Sequence, residues 1–239
     1  MPYYMRTTDA GRTREVEKWR RGTPSGRTGA GAALPPPSRE ELARVNRANA
    51  LRRLRLLVNA NFGPGDFFVT FTYRKGYPVT RAEALRHYQA LMRALRGLYA
   101  AQGVALRYVA VTEEREGRRP HHHAILPEFS PAALRRLWPH GHINIRPLDD
   151  SGQYHRLALY LFEHTDTPGR TGNRWKCSQG LTRPKPSPAR LISAKGWRVG
   201  VPKGWVLDVI HPPEQGCNPY TGAQYLRYTL LRVLNRRDC

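Results

Sequence analysis

The chain has 239 residues, with 40 Lys+Arg against 18 Asp+Glu, a formal net charge of +22 and a pI near 10.9. This cation excess points to a polyanionic partner, and because arginine dominates lysine and pairs bidentately with phosphate, nucleic acid is favoured over a generic acidic surface. No run approaches the roughly 18 apolar residues of a membrane span, the N-terminus lacks the apolar core of a signal peptide, and Cys177, Cys217 and Cys239 form no C-x-x-C pair, so a cytoplasmic protein with reduced thiols and no membrane partner is expected.

Residues 21–37 (RGTPSGRTGAGAALPPP) are small, Gly/Pro-rich and basic, a composition too poor in apolar surface to order itself, and they lead us to expect a flexible basic arm over 1–37. Ser38 with Glu41 three residues on reads as a capping box that opens a basic helix over 38–60. Its apolar stripe is Leu42, Val45, Ala48, Leu51 and Leu54, and Arg44, Arg47, Arg52, Arg53 and Arg55 leave a cationic surface suited to a phosphate backbone as well as to water. NFGPG then breaks the helix, and DFFVTFTY reads as a buried strand. Helical spacing of Leu85, Tyr88, Leu91, Met92, Leu95 and Tyr99 predicts a packing helix from Thr80. LRYVAVTEE and HHHAILP read as two strands about a charged turn near Gly117, SPAALRRLW as a short helix capped by Ser130, HINIRPL as a strand, and DDSGQYHRLALYLFEHT as a helix. This order predicts an α+β fold with a mostly antiparallel sheet.

Side chains alternate across a strand, so His121 and His123 share a face and His122 takes the other. A hairpin centred near Gly117 sets Glu113 opposite His121 and Val111 opposite His123, which brings one carboxylate and two imidazoles together. Such a mixed N/O set forms an open site for a divalent cation. The absence of a nearby cysteine argues against closed structural zinc. An isolated histidine run more often only solvates a strand end; the preceding Glu113 and the net charge favour the metal reading. Thr70 and Thr72 share a face near the site, and Trp138, Trp175 and Trp197 are candidates for stacking on unpaired bases or for core burial.

YVAVTEEREGRRPHHHAIL resembles the His-hydrophobic-His motif, with its preceding carboxylate, of HUH endonucleases, with His122 where that motif has an apolar residue. NANFGPGDFFVTFTY, LRRLWPHGHINIRPL, YHRLALYLFEHT and GNRWKCSQGLTRPKP resemble, in that order, bacterial and phage rolling-circle replication initiators, and the likeness runs from about Asn46 into the C-terminal region, through NPYTGAQYLRY. The resemblance implies a central five-stranded antiparallel sheet with flanking helices (HUH, RRM-like), a nicking domain over 61–183, and a C-terminal extension with a terminal helix over 184–239. It also implies nicking and joining of single-stranded DNA by a tyrosine that forms a 5′-phosphotyrosine and leaves a 3′-hydroxyl.

By that resemblance Tyr160 is the nucleophile, and Glu113, His121 and His123 hold Mg or Mn. Tyr154, six residues earlier, lies on another helix face and reads as a capping or packing residue. The family commonly has a lysine three residues after the nucleophile, and Glu163 stands there; His164 is open to a ligand or proton-transfer role, and Lys176 or Arg174 to supplying positive charge. Expected partners are a single-stranded origin and, as no Walker-type G-x-x-x-x-G-K-[ST] occurs, a separate host or element helicase. Rival readings are a relaxase or single-strand transposase with the same site, a non-enzymatic basic nucleic-acid-binding protein, and a zinc-dependent RNA hydrolase.

Overall fold

A computed structural model describes residues 2–20, 36–113, 119–165, 175–219 and 221–234. The predicted arm residues 21–35, the hairpin turn at Gly117, Arg174 and Cys239 lie outside these. The chain divides into two compact units, one of residues 1–60 with 183–239 and the other Asn61–Thr182. Among the described residues no helix is long and apolar enough to cross a membrane.

The first unit departs from the expected arm. Tyr3–Ala10 (β1) and Thr13–Arg20 (β2) form an antiparallel hairpin in which Ala10 pairs with Thr13 across Gly11 and Arg12. Gly11 holds φ +59°, and a Cβ there would meet the Asn59 carbonyl oxygen at 2.1 Å, so the position admits glycine alone. YYMRTTDA and TREVEKWR carry the β-formers Tyr3, Tyr4, Thr7, Thr8, Thr13, Val16 and Trp19 among charged residues without strict alternation, so no period-2 signal marks them as strands. Among the described residues the C-terminal extension, expected to carry a terminal helix, forms strands: Arg190–Ile192 (β8), Trp205–Leu207 (β9), Glu214–Cys217 (β10) and Gln224–Arg232 (β11). All join one sheet of order β10-β11-β2-β1-β8, with β9 on β11.

Arg39–Asn61 (α1) begins at the expected capping box, with Ser38 N–H donating to Glu41 Oε2 (2.8 Å) and Glu41 N–H to Ser38 Oγ (3.1 Å). Its arginines are not all free for phosphate. Arg52 and Arg55 both donate to the carboxylate of Glu15, whose side chain is 1% exposed. Glu17, on the same sheet face two residues along, accepts from Arg6 (2.6 Å) and Arg227 (2.9 Å). The opposite face buries Val16, Leu226, Tyr228 and Leu230 against Trp197, Val199, Trp205 and Leu207. There the Lys18 ammonium donates to the carbonyls of Gly196 (2.8 Å) and Arg198 (2.6 Å) and ties down that covering segment.

In the second unit the strands Phe67–Tyr73 (β3), Val109–Glu113 (β4), His121–Leu126 (β5), Gly141–Pro147 (β6) and Lys176–Cys177 (β7) form a five-stranded antiparallel sheet of order β6-β3-β5-β4-β7. β3 alternates buried Phe67, Val69, Phe71 and Tyr73 with half-buried Phe68, Thr70 and Thr72. The first set packs in a core with Tyr88, Leu91, Met92, Leu95 and Tyr99 of Arg81–Ala100 (α2) and Leu134 of Pro131–Arg136 (α3). Leu85, assigned to that stripe by spacing, is exposed. Trp138 is buried in the core with its indole N–H on the Thr72 carbonyl (2.9 Å), which removes it from base stacking. His155–Glu163 (α4) starts six residues later than its sequence pattern, because Asp149 accepts from Ser151 in a local turn and Gly152 takes φ +64°.

Glu15→Ala leaves two guanidiniums without their acid and is expected to lower unfolding free energy by about 3–5 kcal/mol in a denaturant titration. Burial alone would raise the Glu17 carboxyl; its hydrogen bond to Arg227 and the charges of Arg227, Arg6 and Arg52 outweigh that and leave it below the usual value. A folded pKa below the unfolded one contributes stability above the unfolded value, near 4.5, that disappears as pH falls through the folded value. Melting temperature is therefore expected to fall in that acid range, and Glu17→Gln is expected to flatten the decline.

Candidate metal site and tyrosine

The β4–β5 register sets Glu113 opposite His121 and Val111 opposite His123, so the carboxylate and these two imidazoles share a sheet face. β3 continues the face, with Thr72 opposite His121 and Thr70 opposite His123. Glu113 Oε2 lies 3.3 Å from His123 Nε2, 3.4 Å from His164 Nε2 and 3.8 Å from His121 Nδ1. Of these, Glu113, His123 and His164 offer donor atoms that all lie within 4.8 Å of one another, a group able to hold a metal ion. His121, which spacing placed in the ligand set, sits at the rim of this group with a side chain 34% exposed. His164 comes from the last turn of α4, one turn beyond Tyr160, and the helical i,i+4 spacing was the sequence signal for it.

Hydrogen bonds fix how the rings face. His164 Nδ1 lies 2.6 Å from the Tyr160 carbonyl oxygen, which can only accept, so Nδ1 carries a proton and Nε2 turns toward Glu113. His123 Nδ1 bonds Thr70 Oγ1 at 3.1 Å, and its Nε2 also turns toward Glu113. Burial holds His123 neutral, pulling its pKa down to about 4 against the opposing pull of Glu113. Burial likewise lowers His121. One carboxylate oxygen and two imidazole nitrogens within reach of one another form a mixed N/O donor set that fits a metal ion. Outer partners on Nδ1 are the arrangement that orients metal-binding imidazoles.

Tyr160 is 38% exposed, and its ring borders the cluster: it packs edge-on to His123 (centroids 5.3 Å) and Phe68 (5.7 Å) and lies over His164 (3.8 Å). Tyr154 stands at the α4 N-cap, buried, with its hydroxyl donating to the Asp149 carbonyl (2.8 Å), and is a packing residue. Glu163 is exposed. Lys176 belongs to the other side of the sheet, over the Tyr88 ring at 5.0 Å, so it brings no charge to this cluster. His122 faces the core, bonded to Thr112 Oγ1 (3.0 Å) and Tyr73 OH (3.2 Å) and lowered by burial to about 3.

An antiparallel sheet that carries a cation-competent carboxylate–imidazole cluster beside an accessible tyrosine defines the class of site. Residues 66–164, which span β3 to α4, match the family model of the replication-associated protein ORF2/G2P, consistent with a rolling-circle replication initiator and a role in replication. Comparison with curated proteins and with solved structures gives no match.

Manganese titration followed by calorimetry is expected to show His123→Ala and His164→Ala abolishing tight binding. Thr70→Val, which frees His123 Nδ1, is expected to weaken it about tenfold, and His121→Ala to weaken it less than either ligand variant.

Proposed function

We propose that the protein is an HUH-type replication initiator that nicks and rejoins single-stranded DNA at an origin through a 5′-phosphotyrosine. On this reading it starts rolling-circle replication of a plasmid, phage or integrated element. The observation that carries the reading is the Tyr160 ring at the cluster's edge, solvent-accessible and against both His123 and His164. When bound, a divalent cation such as Mg or Mn draws charge from the scissile phosphate. Glu113, His123 and His164 would hold it, with His121 at the rim of the group.

Tyr160 Oη attacks phosphorus and loses its proton to solvent. The bond to the 3′-oxygen breaks, that oxygen takes up a proton, and the new 3′-hydroxyl primes synthesis. Rejoining runs in reverse, as a 3′-hydroxyl attacks the phosphotyrosine and returns the phenol. Phe68 and His164 both pack against the Tyr160 ring, which limits the rotamers the nucleophile must give up. Glu163 supplies no positive charge at the position where the resembled family commonly has lysine; Arg146, opposite Phe68 in the sheet register, is a cation on the site face. The reading requires a single-stranded origin and a separate helicase as partners.

Incubation with single-stranded oligonucleotides and manganese is expected to give a covalent, protease-sensitive adduct. Tyr160→Phe is expected to abolish it while DNA binding persists, and adducts surviving in that variant would sink the assignment. Glu163 favours one rival, a basic nucleic-acid binder without chemistry, for which the wild-type chain binds and gives no adduct.

A further inference from the structure

The reverse side of the second unit's sheet, away from the cluster, holds two adjoining cavities along α2 and β7. One, of about 360 Å³, is lined by residues that include Tyr88, Arg93, Arg96, Tyr108 and Lys176. The other, of about 630 Å³, shares Arg96 and Tyr108 and adds an apolar wall with Val104 and Leu106. Arg93, Arg96 and Lys176 are exposed at the lip. No Asp or Glu occurs between Glu83 and Glu113 or between Asp166 and Asp208, so the segments that build this groove bring cations and no anions.

Tyr88 supplies a second, independent observation. It is 4% exposed, it lies beneath Lys176, and its hydroxyl is buried with no hydrogen-bond partner. A buried hydroxyl left unpaired is costly and rare. Burial also raises the phenol's pKa, so it remains an O–H donor at physiological pH. A donor without an acceptor, at the base of a groove with three cations at its lip, suits an oxyanion. The apolar wall beside it suits the sugar or base attached to that anion.

We propose that this groove holds a phosphodiester of a bound nucleic-acid strand, with Tyr88 OH, Arg93, Arg96 and Lys176 on the phosphate oxygens. The strand therefore contacts both sides of the sheet. The inference rests on the nucleic-acid reading of the protein, though not on its chemistry.

The test uses the full chain in EDTA, so that binding is read without nicking, and a fluorescent 20-nucleotide single strand followed by anisotropy over a salt series. Arg96→Gln with Lys176→Gln is expected to weaken binding roughly tenfold at 0.15 M salt and to flatten the slope of log K against log salt by roughly 1.4, at about 0.7 per phosphate. Tyr88→Phe is expected to leave the melting temperature equal or higher and still lower affinity, which a merely structural hydroxyl would not do. Arg135→Gln with Arg136→Gln, on exposed α3, removes the same charge elsewhere and is expected to have a smaller effect. Equal losses from the two double variants, or wild-type affinity in both groove variants, would overturn the proposal. Loss of binding in the groove variants of a chain that forms no adduct would support the groove while the nicking reading fails; normal binding in a chain that does form the adduct would reject the groove alone.

Discussion

The site depends on the β4–β5 register. A slip of one residue would carry Glu113 to the opposite face from His121 and His123 and leave an uncompensated carboxylate in the α2 core. The slip is opposed from both sides of the sheet. On the core face, Ala110 and Ala124 pair among bulky neighbours, and His122 meets hydroxyls from Thr112 and Tyr73. On the site face, β3 adds its own constraint, because Thr70 sits opposite His123 and bonds its ring. Core packing and ligand placement are therefore one constraint seen from two faces.

α4 completes what the sheet begins. Tyr160 and His164 lie one turn apart, and the bond from His164 Nδ1 to the Tyr160 carbonyl makes the backbone that carries the phenol also fix the imidazole's tautomer. Leu161 and Phe162, fully buried on the other side of the same turn, anchor the helix that presents both groups. Tyr160 and His164 are thus carried by one turn, which suits the proposed reaction, in which a phosphate is held between the phenol and the cation site.

Legibility in the sequence followed the range of the interactions. The order of elements from β3 to α4, the helix caps at Ser38 and Ser130, and the Glu113–His121 pairing depend on local spacing and short turns, and the sequence pattern reads these directly. His164 was visible only as a neighbour of Tyr160, because its approach to Glu113 requires α4 to dock on the sheet, which no spacing rule encodes. The first unit was hidden for a different reason. Its β1–β2 hairpin is local, but β1 pairs onward with β8 and β2 with β11, residues separated by most of the chain, and the face turned to α1 is charged instead of apolar. Arg52 and Arg55 look like free phosphate ligands until Glu15, 37 and 40 residues away, comes into view.

The three consecutive histidines show how far environment outweighs identity. His123 and His122 are both buried and both held neutral, yet only one turns a ring nitrogen to an acid. His122 sits where the resembled motif has an apolar residue, and it fills that position because a neutral imidazole between two hydroxyls is satisfied in either tautomer: Thr112 and Tyr73 can each donate or accept. Its pKa near 3 keeps it in that form throughout the working range of the protein, so it behaves as a core residue with two fixed hydrogen bonds. The same burial that makes His122 an acceptable substitute for an apolar side chain leaves His123 ready to take a cation without first releasing a proton. Strand alternation, which sends one ring to the core and the next to Glu113, is what separates the two roles.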